Sequence, residues 1–110
     1  MAKFVKGDIV VVPFPFSDLT CTKRRPALVL TQLAGDDVIL CQITSQNISD
    51  EYAISINDSD FESGRLNRPS NVRPNRIFTV DSHIILYQVG TLKSEKLLEI
   101  VAKVVSIIRG

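Results

Sequence analysis

A chain of 110 residues, 45% hydrophobic and 23% charged, has room for one compact domain, 1–110, and too little for two. Its formal charge of +1 excludes a uniformly basic nucleic-acid coat. No apolar run approaches the roughly 18 residues of a membrane helix, which argues against a membrane partner.

Two cysteines, Cys21 and Cys41, and a single His83 lack the number and spacing of a zinc site, so no metal and no cofactor are expected. No export signal is visible, which predicts a cytoplasmic protein with reduced thiols. The charge is segregated. Asp50, Glu51, Asp58, Asp60 and Glu62 crowd one stretch, and Arg65, Arg68, Arg73 and Arg76 follow with no acid among them. Lys23-Arg24-Arg25 forms a second basic knot. A near-neutral chain of this kind can present a positive face to phosphates, although each cluster alone also suits a solvated loop.

Asp8 to Phe14 reads as a strand from its β-branched run Ile9–Val12, and Pro13 and Pro15 limit pairing beyond it. Ser17 to Arg24 is polar without a period and reads as a loop. Pro26–Thr31 and Val38–Thr44 read as two strands joined by a hairpin turn at Gly35-Asp36-Asp37. Tyr52 to Ile56 alternates apolar and polar residues, as a half-buried strand does. Asn57 to Asn75 reads as a long loop or strand-edge excursion, with further strands predicted at Ile77–Val80 and Ile84–Val89. The spacing of Leu97, Leu98, Ile100, Val101, Val104, Val105, Ile107 and Ile108 predicts a C-terminal helix, with Ser94 as N-cap. Its apolar residues cover more than one face, which suits burial on the sheet or a dimer interface. Short strands at close spacing followed by one helix give an α+β, mostly β, fold built on a strongly bent antiparallel sheet or small barrel.

Three blocks stand in order: Gly7-Asp8-Ile9-Val10, Arg24-Arg25-Pro26-Ala27-Leu28-Val29-Leu30 and Ile43-Thr44-Ser45-Gln46. Together with Val72-Arg73-Pro74 before the late strands, this order resembles the MazF/PemK toxins over nearly the whole chain. The resemblance implies an SH3-like barrel with a C-terminal helix, a homodimer, a cognate antitoxin, and metal-independent cleavage of single-stranded RNA at short sequences. It places the catalytic pair of that family on Arg25 and Thr44.

The residue types suit the chemistry. Attack of a 2′-hydroxyl on the neighbouring phosphate builds negative charge on the non-bridging oxygens. A guanidinium offers a planar fork of donors to such a group, and it is always charged. Arg25 is thus expected to stabilise the transition state, and Thr44 to orient the phosphate or the nucleophile.

Lys23, Arg24, Arg73 and Arg76 are candidates for RNA phosphate contacts, and Gln46 for a base edge or a strand-end role. Tyr52, Phe78 and Tyr87 could stack on bases, although aromatic residues in strands more commonly belong to a core. The loop Ser17–Lys23 lacks the Gly and Glu/Gln of the toxins it resembles. His83 is read as a turn or strand-end residue. Two alternatives stay open at this stage: a toxin of the same fold that poisons DNA gyrase, as CcdB does, and a binding module that docks RNA or protein without cutting it.

Overall fold

The computed structural model describes residues 4–14, 23–45 and 49–110. In chain order the elements are β1 Asp8–Phe14, β2 Lys23–Gln32, β3 Asp37–Thr44, β4 Ile54–Ile56, β5 Phe61–Gly64, β6 Ser70–Asp81, β7 Tyr87–Leu92 and α1 Ser94–Arg109. Short 3₁₀ turns occupy Asp58–Asp60 and Ser82–Ile84. The strands form one curled antiparallel sheet in the order β4-β6-β3-β2-β1-β7-β5. Register shifts between Ile9 and Val10, between Val29 and Thr31, and between Cys41 and Gln42 bend it.

β1 lies between β2 and β7, and its continuous apolar run has a simple cause: both of its faces are covered. Ile9 joins Leu28, Cys41, Ile43, Val72 and Ile100 of α1 in a core on the helix side. Val10 and Val12 join Ala27, Val29, Val38, Leu40 and Val80 in a second core on the opposite side. Asp8, buried at the head of β1, accepts hydrogen bonds from Val5 N, Gln88 Nε2 and Thr91 Oγ1 at 3.0, 3.1 and 3.2 Å. The Gly7-Asp8 block is therefore a structural tie between β1 and β7.

Several boundaries differ from the sequence reading. Lys23 and Arg24 belong to β2, because pairing with Phe14 and Pro13 extends the β1–β2 ladder past the proline. The β2–β3 partners, by contrast, begin at Ala27, just after Pro26, which has no N–H to donate. The expected strand from Tyr52 shortens to Ile54–Ile56, since Tyr52 N is held in a turn by Asp50 Oδ1 at 2.9 Å.

The stretch Asn57–Asn75, expected as a long loop or a strand-edge excursion, contains a 3₁₀ turn capped by Asn57, then β5, then the start of a twelve-residue β6. A backbone pairing of low hydrophobicity has no periodic signature to read. β5 lies on β7 through two glycines. A Cβ on Gly64, which has φ +71°, would sit 2.1 Å from the Val89 carbonyl oxygen, and one on Gly90 would sit 2.6 Å from that of Ser63. The predicted strand Ile84–Val89 starts later, at Tyr87, because Ser82–Ile84 turns under the Asp81 cap.

The helix begins at Ser94 with Lys93 in the N-cap position and no side-chain cap, so Ser94 is the first helical residue rather than the cap. Of its apolar residues Ile100 alone is buried, while Leu98, Val105 and Ile108 stay 67%, 42% and 72% exposed. Burial on the chain's own sheet thus accounts for one face of the helix only. Replacing Ile100 by Ala removes the one fully buried helix anchor and is expected to cost about 2–5 kcal/mol. Urea unfolding followed by circular dichroism should show this as a lowered midpoint with an unchanged slope.

Candidate functional site

β-strand alternation sorts the candidate residues between the two faces. Val12 pairs with Arg25 and Val10 with Ala27, so Arg25 shares the face of the second core, away from the helix. Arg24, one step along, projects to the other face. Lys23 is back on the side of Arg25, exposed at the strand end. On β3 the same face carries Leu40, Gln42 and Thr44, since Leu40 opposes Val29 and Gln42 opposes Ala27. Continued past Pro26, that register brings Arg25 opposite Thr44.

The row runs on across the sheet. Thr44 opposes Asn71 of β6, and Asn71 opposes Ser55 of β4. Ser55 Oγ donates a hydrogen bond to Asn71 Oδ1 at 3.2 Å. Arg25 is half-buried and Thr44 is 6% exposed, so the row is partly sheltered from water. In such a setting a guanidinium acts on a phosphate more strongly than it would in free solution.

The basic candidates are not equivalent. Arg73 lies on the site's face, opposite Gln42, and its Nε donates to Asp50 Oδ2 at 3.1 Å. A hydrogen bond from Tyr52 N, and then the Arg73 guanidinium, hold the Asp50 carboxyl below its ordinary range. Arg73 therefore pins the Asp50–Tyr52 turn to β6. Arg76 is exposed in a bulge, where Cys41 pairs with Ile77 and Gln42 with Arg73, leaving Pro74 buried and Asn75 and Arg76 at the surface. Gln46 and Cys21 lie outside the described residues. Cys41 sits fully buried in the helix-side core, where desolvation pushes its thiol up to about 12 and suppresses the reactive thiolate.

The sequence reading passed over Asn71, Ser55 and Ser45, which the row and the end of β3 bring together. The signal for Ser55 and Asn71 is that each sits next to buried apolar residues in its own strand, Ile54 and Ile56 for the one and Val72 for the other. Tyr87 is 47% exposed, Tyr52 is exposed in its turn, and Phe78 packs against the second core.

His83 belongs to the opposite end of the sheet. Asp37 of β3 pairs with Asp81, and the length of β3, at about 3.3 Å per residue, separates that end from Thr44 by roughly 20 Å. The imidazole Nδ1 lies 2.6 Å from Asp81 Oδ1, and Asp81 also accepts from His83 N at 2.8 Å. The side-chain hydrogen bond to Asp81, then the charges of Asp81 and Asp36, raise the His83 pKa above its ordinary 6.5. The backbone and side-chain hydrogen bonds from His83 lower that of Asp81. The histidine's contribution to stability is thus complete below 6.5 and fades as pH rises through its higher folded value. That of Asp81 fades as pH falls through its depressed value. A proton-detected NMR titration should give a His83 midpoint above 6.5, and Asp81→Asn should return it towards 6.5.

Among the described residues no helix is long and apolar enough to cross a membrane. Residues 5–108 match the family of PemK-like, MazF-like toxins of type II toxin–antitoxin systems. Sequence comparison with curated proteins gives no match. Among solved structures, a MazF from Deinococcus radiodurans superposes with a TM-score of 0.76 at 20% identity, with 100% of each chain covered. A Mycobacterial endoribonuclease in complex with its cognate antitoxin gives 0.75 at 12% identity, covering 96% of this chain and 95% of that one. The Mycobacterium tuberculosis toxin MazF-mt6 gives 0.70 at 21% identity, covering 93% and 96%. At these identities the likeness establishes the shared fold, whereas the family match spans nearly the whole chain. The chain belongs to the PemK-like, MazF-like toxins of type II toxin–antitoxin systems.

Proposed function

We propose that this toxin is a metal-independent, sequence-selective endoribonuclease that cuts single-stranded RNA, with Arg25 and Thr44 as its catalytic pair. The observation that carries the reading is the register that sets both residues on one face, at the same end of neighbouring strands. Solved relatives described as endoribonucleases share the fold and support the same reading.

In the proposed reaction the 2′-hydroxyl gives its proton to water as its oxygen bonds to phosphorus, the P–O5′ bond breaks, and the leaving oxygen takes up a proton from water, leaving a 2′,3′-cyclic phosphate and a 5′-hydroxyl. The Arg25 guanidinium stays cationic and faces the charge growing on the non-bridging oxygens. The Thr44 hydroxyl donates to the same phosphate and holds it in line. Lys23, beside Arg25 on the strand end, extends the positive field along the RNA. Arg76 adds an exposed cation beyond the bulge. Arg73 acts chiefly by fixing the Asp50 turn on the site's face.

Removing one donor preorganised for the transition state costs roughly 10²–10³ in kcat. Incubated with long single-stranded RNA in excess EDTA, the wild type should yield discrete fragments, and Arg25→Ala at least about a hundredfold less. His83→Ala, some 20 Å from the site by strand length, should cleave as the wild type does. Intact RNA with folded wild-type protein would overturn the reading in favour of gyrase poisoning or simple binding.

The same proposal includes a homodimer and an antitoxin partner in the cytoplasm. The exposed stripe Leu98, Val105 and Ile108 on α1, a face the sheet leaves uncovered, supports the dimer. MazE–MazF complexes among the solved relatives support the antitoxin. Sedimentation equilibrium should report a dimer for the wild type, and Leu98→Asp with Ile108→Asp should shift it to monomer while α1 stays folded by circular dichroism.

A further inference from the structure

Where β3 ends and β6 begins, a cleft of about 230 Å³ opens beside Thr44. Its polar lining is Ser45, Ser55 and Ser70 with Asn57 and Asn71, and Ile56 and Pro69 supply its apolar part. No lining side chain carries a charge. The volume falls below the roughly 300–1,000 Å³ of sites for drug-sized ligands, so it suits a single planar ring system.

A neutral set of amides and hydroxyls is poorly suited to hold a phosphate against water. It is well suited to the mixed donors and acceptors along a base edge. Asn71 is the key member. It opposes Thr44 across one strand spacing, about 4.8 Å, and Ser55 on its other side. The bond from Ser55 Oγ to its Oδ1 sets which end of the amide accepts and holds the rotamer, so the side chain is preorganised.

The neighbouring surface continues the pattern. A second cleft, of about 360 Å³, shares Asn57 and Pro69 with the first and carries Arg65 and Arg68 together with Asp58. A strand with one base in the neutral cleft thus finds Arg25 on one side and Arg65 and Arg68 on the other. Cation, neutral pocket and cation match the alternation of phosphate and base along a single strand.

We propose that this cleft seats one base flanking the scissile phosphate, and that Asn71, held by Ser55, is the residue that discriminates it. The proposal rests on the endoribonuclease reading above and deepens it.

The test is digestion of a randomised single-stranded RNA library and sequencing of the new ends, for wild type, Asn71→Ala, Asn71→Asp and Ser55→Ala at matched folded fraction. Asn71→Ala should lower discrimination at one position beside the cut by about tenfold or more, leaving the other positions as they were. Asn71→Asp keeps the shape but replaces the donor end of the amide with an acceptor, and should change the preferred base at that position. Ser55→Ala should relax the same position to a smaller degree. Unchanged preferences in the Asn71 variants would overturn the proposal and leave the nuclease reading intact. So would an equal loss of rate on every sequence, the mark of a purely structural role, or a wild type that cuts without preference at that position. A library left intact by folded wild type would overturn the nuclease reading itself, and this proposal with it.

Discussion

The site depends on the register of β2 against its two neighbours. Side chains alternate between faces along a strand, so a slip of one residue would turn Arg25 to the helix side and bring Arg24 to the face of Thr44. Two features hold the register. The unbroken pairing of Ile9–Phe14 with Lys23–Leu28 aligns β2 with a strand buried on both faces. The hairpin between β2 and β3 turns at Gly35, where φ is +81° and a side chain would be strained, and Leu33 N closes it on Asp37 O at 2.9 Å. A slip there would exchange the faces of Leu28 and Val29, both fully buried, and disrupt both cores, which ties the placement of Arg25 to the hydrophobic core.

The two faces of the sheet are used differently. The helix side is closed by Ile100 and Leu97 over Ile9, Leu28, Ile43 and Val72, a purely structural contact. The other face is apolar at the end near Val38 and Val80 and polar at the end near Thr44, Asn71 and Ser55. A core at one end of a face gives the other end a rigid base, and rigid placement is what lets fixed donors stabilise a transition state without reorganising. The exposed residues Leu98, Val105 and Ile108 belong to α1, whereas the polar end of the sheet is built from β3, β6 and β4, so the two surfaces draw on different elements.

Charge alone is a poor guide to which arginines are available to a phosphate. Arg73 is engaged by Asp50 and serves the architecture of the turn, while Arg24 lies on the face opposite Arg25. Arg65 and Arg68 border a cleft that continues the neutral pocket beside Thr44. Lys96 reaches Glu99 at 3.2 Å and Asp60 at 3.8 Å and so ties the helix to the turn before β5. With a net charge of +1, what matters is where the unpaired cations fall relative to the polar end of the sheet.

The sequence by itself determined the mostly β architecture with its terminal helix, the strand at β1 and the hairpin after Gln32, and through its resemblance to the toxins it nominated Arg25 and Thr44 as candidates. These rest on local signals: β-branched runs, glycine at a tight turn, helical spacing, and three motifs in order. Tertiary structure alone decided that residues 61–64 and 70–76 are strand, because their polar side chains carry no period and only pairing with β7, β3 and β4 orders them. It alone also separated Arg24 from Arg25, gave Arg73 to Asp50, sent His83 to the far end of the sheet, and set Asn71 between Thr44 and Ser55. Each of these outcomes joins residues distant in the chain through strand register, and register is fixed by burial across the whole sheet, which no local stretch of sequence contains.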